Sequence, residues 1–137
     1  MKTYVSWNDY DHAMLMMMSH YLTNGLDHEC GAIYGLPRGG LPMAVSLSHK
    51  LKLPLLMNYA DRKLVTDKKI LVVDDIADTG KTLLNYDTNK NIIFTIHYHK
   101  QSKVVPYYWV HEKHNEWIVY PWERRDSSEI QDYLNKE

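Results

Sequence analysis

The sequence predicts an α/β domain built on a parallel sheet flanked by helices, and three observations carry that prediction. Short apolar runs alternate with stretches of helical spacing through the first two thirds of the chain. One run, Ile70-Leu71-Val72-Val73, is apolar at every position, as a strand buried on both faces must be. Loops rich in glycine or carboxylate follow two of the runs, which is where open α/β sheets hold their ligands. A chain of 137 residues has room for one such domain with a real core.

Taken in order, Ser6 and Asp9 form a capping-box start to a first helix, with Trp7 just inside it. Met14, Met17, Met18 and Tyr21 share one helical face, widened by Leu15 and Leu22, and Asn24-Gly25 closes the helix. That stripe reads as core or subunit contact rather than a cofactor site. Ala32-Ile33-Tyr34 reads as a short buried strand, followed by the loop Gly35-Leu36-Pro37-Arg38-Gly39-Gly40. A helix to about Leu51 follows, with Ala44, Leu47 and Leu51 on one face, and Leu53 to Met57 is the next strand. Arg62 to Lys69 is a polar connection with an extended piece at Leu64-Val65. Ile70 to Val73 is the central strand, Thr79 to about Tyr86 its helix, and Ile92 to Tyr98 a further strand rich in β-branched residues. Beyond Lys100, Val104 to Val110 and Trp117 to Tyr120 read as extended segments around the charged turn His111 to Asn115. Ser127 to Leu134 has the capping and spacing of a short helix.

Composition bounds the function. The chain is 45% hydrophobic and 24% charged, with a net charge of −1 that offers no general attraction for nucleic acid. An anionic substrate must therefore be held locally. Cys30 is the only cysteine, so no intrachain disulfide forms and a reducing, cytoplasmic setting is expected. The apolar run from Met14 to Met18 is too short to span a membrane, and the residues before it are not those of a signal peptide. The histidines lack a cysteine pair or a His-Glu-x-x-His spacing. His97, His99, His111 and His114 read as exposed strand-edge residues rather than metal ligands.

The chemistry concentrates in Ile70 to Leu83. Asp74 and Asp75 follow the strand directly, then Asp78, then the turn Thr79-Gly80-Lys81-Thr82. Carboxylates that can hold sugar hydroxyls thus lie beside a loop entering a helix, whose free N–H groups and dipole favour an anion. That combination suits a phosphorylated sugar. A nucleotide-binding P-loop is excluded, because its first glycine would have to stand where Asp75 stands. The loop at Arg38 repeats the design on the preceding strand, with glycines for close backbone approach and a guanidinium for phosphate.

The stretch from Ile70 to Leu83 resembles the phosphoribosyl-pyrophosphate (PRPP) signature of type I phosphoribosyltransferases, in which two hydrophobic pairs precede two acids and an Asp-Thr-Gly-x-Thr loop. The resemblance implies a Rossmann-like parallel sheet with a small C-terminal hood over the base. The whole chain, 1–137, would be one phosphoribosyltransferase domain: a core to about residue 100, a base-binding segment from about 100 to 125 and a C-terminal helix from about 126 to 137. It implies that Asp74, Asp75, Ala77, Asp78, Thr79, Gly80, Lys81 and Thr82 bind PRPP or nucleotide, with Asp78 catalytic as acceptor of the base proton. Asp75 would contact Mg2+. Pro37, Arg38 and Gly39 would bind pyrophosphate, with the Pro37–Arg38 peptide cis.

Lys100, after the strand ending Thr95-Ile96-His97-Tyr98, and Trp117-Ile118-Val119-Tyr120-Pro121-Trp122-Glu123 resemble the base-binding elements of the small xanthine–guanine and hypoxanthine branch. This implies that Lys100 donates to the purine oxygen, Trp117 stacks on the ring and Ile118 reads its edge through its carbonyl. The implied enzyme transfers phosphoribose from PRPP to an oxopurine in purine salvage, as a homo-oligomer, dimer or tetramer, with no nucleic-acid partner. One departure stands out. The segment from Asn58 to Lys69, with Arg62 and Lys63, is short for the flexible loop that closes such sites. That leaves a PRPP- or nucleotide-sensing regulator of the same fold as the alternative.

Overall fold

In the computed structural model, residues 1–126 are described. Ten elements follow one another: β1 (Lys2–Tyr4), α1 (Trp7–Thr23), β2 (Cys30–Gly35), α2 (Gly40–Leu51), β3 (Leu55–Leu56), α3 (Arg62–Val65), β4 (Lys69–Ala77), β5 (Asn91–His99), β6 (Tyr108–Lys113) and β7 (Trp117–Val119). Five strands form a parallel sheet in the order β3-β2-β4-β5-β6, and β1 and β7 pair in a separate two-stranded ribbon. The sheet is therefore α/β and parallel, with its most apolar strand at the centre.

Alternation along the strands divides the core in two. Ile33, Leu71, Val73, Phe94 and Ile96 pack against Met14, Met17 and Tyr21 of α1 and Met43, Ala44 and Leu47 of α2. Ala32, Ile70, Val72 and Ile93 face the other way, under Leu36, Leu56, Leu83 and Val104. Long helices thus cover one face, and loops and single helical turns cover the other.

The first helix starts as its caps dictate. The Asp9 amide donates to Ser6 Oγ at 3.0 Å, and the Ser6 amide donates back to Asp9 Oδ2 at 3.0 Å. Its buried face is Tyr10, Ala13, Met14, Met17 and Tyr21, whereas Leu15 and Leu22 are exposed. The expected stripe was thus too wide on that side.

Four further expectations are corrected. No α-helix runs from Thr79 to Tyr86; only a 3₁₀ turn, Leu83–Tyr86, follows the loop. The segment is rich in residues whose side chains compete with the helical backbone, and it must return at once to β5, which its Asn91 secures by donating to the Tyr86 carbonyl at 2.9 Å. Leu64 and Val65 are helical within α3, not extended. The strand expected over Leu53 to Met57 shrinks to Leu55–Leu56. His111 to Lys113 continue β6, so the turn begins only at His114. The expected C-terminal helix lies outside the described residues from Ser127 on.

Nothing in the sequence pattern indicated β1. It lies parallel to β7 with Lys2 opposite Trp117 and Tyr4 opposite Val119. The Trp117 amide donates to the Met1 carbonyl at 2.9 Å, and the Val5 amide donates to the Val119 carbonyl at 2.8 Å. The start of the chain thereby holds β7 in place. No helix among the described residues is long and apolar enough to cross a membrane.

Candidate active site

The site grows from the end of β4. The strand runs on through the acids to Ala77, so Asp74 and Asp75 belong to the ladder and are only 3% and 4% exposed. Successive strand residues point to opposite faces, so the two carboxylates straddle the carboxyl edge of the sheet. The Asp75 amide donates to Asp74 Oδ1 at 2.9 Å.

Gly39, at the start of α2, brings the Arg38 loop to this edge. A Cβ on Gly39 would lie 2.0 Å from Asp75 Oδ2, so only a glycine lets the loop backbone approach so closely. The Pro37–Arg38 peptide is cis.

Behind Asp75 runs a buried relay. Tyr120 Oη lies 3.1 Å from the Asp75 carbonyl and 2.8 Å from His97 Nδ1. A carbonyl only accepts, so the tyrosine donates to Asp75 and accepts from the His97 Nδ1–H, which fixes that tautomer. Burial, with His111 beside it, pushes the His97 pKa down to about 4. Burial, then the Asp75 charge, holds the Tyr120 phenol well above its ordinary value. The expectation of an exposed strand-edge residue fails for His97, which is 6% exposed. Trp122 stacks on Tyr120 at 5.2 Å and meets Tyr10 edge-on at 5.4 Å, so it belongs to the packing beneath the site.

The loop after β4 turns at Gly80, whose φ of 80° is left-handed. The Lys103 amide donates to the Thr79 carbonyl at 2.9 Å, tying this loop to the one after β5. Without an α-helix behind it, the loop offers backbone N–H groups and the Lys81 cation but no helix dipole. Asp78 is clamped from two sides. Gln101 Nε2 donates to Oδ1 at 2.9 Å, and Lys113 Nζ donates to Oδ2 at 2.8 Å.

A solvent-open cleft of about 630 Å3 joins these parts. Among the expected site residues, Asp74, Asp75, Asp78, Thr79, Gly80, Lys81, Thr82, Trp117 and Ile118 line it. Ala77 does not, because it is fully buried beneath in the second core. Pro37, Arg38 and Gly39 meet the acids through the Gly39–Asp75 contact rather than through the lining. Lys100 is also outside the lining: its side chain is 78% exposed, with Nζ 3.9 Å from Glu112. The lysines of the cleft are Lys81 and Lys113. Arg62 lies over the Tyr59 ring at 4.7 Å.

Lys113 and Gln101 were not anticipated, and Tyr120 and Glu123 stood only as part of the Trp117 to Glu123 segment, with no role of their own. The one available signal was that the alternation of Val104 to Val110 could have been carried past His111, which would have put Lys113 on a strand. Among the described residues, no three or more His, Cys, Asp or Glu side chains converge to hold a metal ion unaided. Asp75, a buried carboxylate at the cleft, is the residue that could hold magnesium, with substrate oxygens and water completing its shell.

Comparison with known proteins agrees with this geometry. A purine phosphoribosyltransferase from Pyrococcus horikoshii superposes with a TM-score of 0.74 at 29% identity, over 93% of this chain and 97% of its own. A xanthine-guanine-hypoxanthine phosphoribosyltransferase from Helicobacter pylori gives 0.72 at 18% identity over 100% of both chains. A hypothetical protein from Neisseria gonorrhoeae with bound ppGpp gives 0.69 at 18% identity, over 98% and 94%. No protein-family model and no curated protein matches the chain. The parallel sheet and the fit to the Pyrococcus protein over nearly the full length of both chains give this chain the fold of the purine phosphoribosyltransferases to which it is similar.

Proposed function

We propose that the protein transfers a 5-phosphoribosyl group from PRPP to an oxopurine (hypoxanthine, guanine or xanthine), releasing pyrophosphate in purine salvage. One observation carries this reading: a single cleft joins the Asp74-Asp75 pair, the Asp78 to Thr82 loop and the Trp117–Ile118 platform. Its chemistry follows from those groups. Asp74 and Asp75 hold the ribose hydroxyls, the Thr79 to Thr82 amides and hydroxyls hold the 5′-phosphate, and Arg38 with its loop holds pyrophosphate. As the C1′–oxygen bond to pyrophosphate breaks and the C1′–nitrogen bond forms, positive charge develops on the sugar beside buried carboxylates. Asp78 takes the proton that leaves the base. Magnesium, held by Asp75 together with PRPP oxygens, would supply countercharge to the departing pyrophosphate.

Incubation with PRPP, magnesium and each purine in turn tests the reading by pyrophosphate release. Asp78→Asn is expected to lower kcat by about 100-fold or more while PRPP binding changes little. No release with any base would sink the enzyme reading in favour of a nucleotide-sensing regulator. That second reading draws support from the short closing segment and from the ppGpp-bound Neisseria structure. A cytoplasmic homo-oligomer, dimer or tetramer, belongs to the same proposal, and light scattering on the purified chain tests its oligomeric state.

A further inference from the structure

The strand end that carries Asp74 and Asp75 is held from outside its own sheet. The β2–β4 ladder stops at the pair Gly35–Val73, so among the described residues β4 is paired from Asp74 onward with β5 alone. Tyr120, 45 residues further along the chain, meets that stretch: its hydroxyl donates to the Asp75 carbonyl at 3.1 Å. Two further contacts fix this tyrosine. The His97 Nδ1–H donates to its hydroxyl at 2.8 Å, and His97 is itself seated in the β4–β5 ladder opposite Ile76. With a donor already on its oxygen, the hydroxyl turns its single proton to Asp75. Trp122 stacks on the ring at 5.2 Å with the planes 5° apart.

The backbone of Tyr120 belongs to the other side of the cleft. Its amide donates to Glu123 Oε1 at 2.8 Å, and its carbonyl accepts from the Glu123 amide at 3.0 Å, so a closed turn follows β7 directly. Ile118 and Trp117 stand two and three residues before it on β7 and line the cleft. A displacement of the Asp75 carbonyl is thus passed to β7 through one hydrogen bond and three residues of braced chain. Asp75, Tyr120 and His97 are all buried, and close packing transmits such a shift rather than absorbing it.

We propose that Tyr120, aimed by His97, is a positioning residue that couples the two sides of the cleft. PRPP on the Asp74–Asp75 side sets β7 for the base, and each ligand tightens the binding of the other. Tyr120 does this through the Asp75 backbone, without touching the reacting atoms. The inference rests on the phosphoribosyltransferase reading, which supplies the two ligands, and adds a link between their sites.

The experiment is a binding cycle followed by calorimetry in the presence of magnesium. The ligands are PRPP and 9-deazahypoxanthine, a base analogue with carbon in place of the attacking nitrogen. Each is titrated with and without the other. In the parent, either ligand should raise the affinity of the other by about 10-fold, and linkage requires the two factors to be equal. Tyr120→Phe keeps the ring and removes the hydroxyl, so both factors should fall towards one while each ligand alone binds within about threefold of the parent. Tyr10→Phe is the structural comparison. It packs on the same Trp122 and loses a hydroxyl bonded to the Pro42 carbonyl at 3.0 Å and to Ser46 Oγ at 2.7 Å, yet it should keep the full factor. His97→Asn retains a donor for Tyr120 and should keep most of it. A parental factor in Tyr120→Phe, or an equal loss in Tyr10→Phe, overturns the assignment. So does a parent in which either ligand fails to bind or the two bind independently. If Tyr120→Phe does not fold, His97→Leu removes the aiming donor and carries the same expectation and the same refutation. A parent that releases no pyrophosphate with any base refutes the transferase reading separately, because the binding cycle needs no turnover.

Discussion

Gly39→Ala isolates the contact on which the meeting of the two loops depends. Gly39 has φ −61° and ψ −30°, helical values that alanine adopts freely, so the substitution strains no backbone. Its only penalty is contact: the new Cβ would stand 2.0 Å from Asp75 Oδ2 and 2.4 Å from Asp75 Cγ. Real Cβ atoms essentially never approach within 3.0 Å, so carboxylate or loop must shift by at least about 1 Å. Asp75 is 4% exposed and its carbonyl accepts from Tyr120, so neither neighbour yields easily. Overpacking of this kind costs about 1–3 kcal/mol, read by urea denaturation. A displacement of about 1 Å at a positioning group costs about 100-fold in rate, so kcat/KM for PRPP should fall by that order. Gly31→Ala is the matched comparison, because its Cβ would meet Thr66 Oγ1 at the same 2.0 Å, away from the acids. It should lose similar stability and keep turnover near the parent. Parental kcat/KM in Gly39→Ala, or equal losses of activity in both variants, would refute the reasoning.

Three further outcomes follow from the relay and the hood. His97 is held neutral with its pKa lowered to about 4, so between that value and its unfolded value near 6.5 the unfolded chain binds more protons. Stability should therefore fall by about 3 kcal/mol as pH drops through that window. His97→Asn, whose amide can still donate to Tyr120, should flatten that loss, and denaturation at pH 7 and pH 4 measures it. Tyr120→Phe leaves the His97 Nδ1–H and the Asp75 carbonyl without their shared partner and should cost about 1–3 kcal/mol with a raised KM for PRPP. Deleting residues 1–4 removes the parallel support of β7 and should raise KM for the base by about tenfold, leaving PRPP binding near the parent; calorimetry separates the two.

What the sequence alone determined is local. The capping box at Ser6, the glycine that closes α1, the all-apolar core of β4 and the chain order of acids and phosphate loop are each written within a few residues. The alternation of strands with helices then left a parallel sheet as the arrangement that buries them. The Asp74 to Thr82 side of the cleft was legible for the same reason, since these residues lie consecutively along one strand end and its loop.

The Lys113 and Trp117 side of the cleft was decided by tertiary structure. Whether Lys100 or Lys113 faces the cleft depends on the register of β5 with β6, and a one-residue change of register exchanges the two faces of a strand. His97 looked exposed because burial there is imposed by Tyr120 from beyond β7. The helix expected after Gly80 gave way because the chain returns at once to β5. Three residues of β1 have no periodicity to reveal them, and their partner lies at the far end of the described chain. Propensity acts over a turn or two of chain, whereas register and burial are set by residues far apart in sequence.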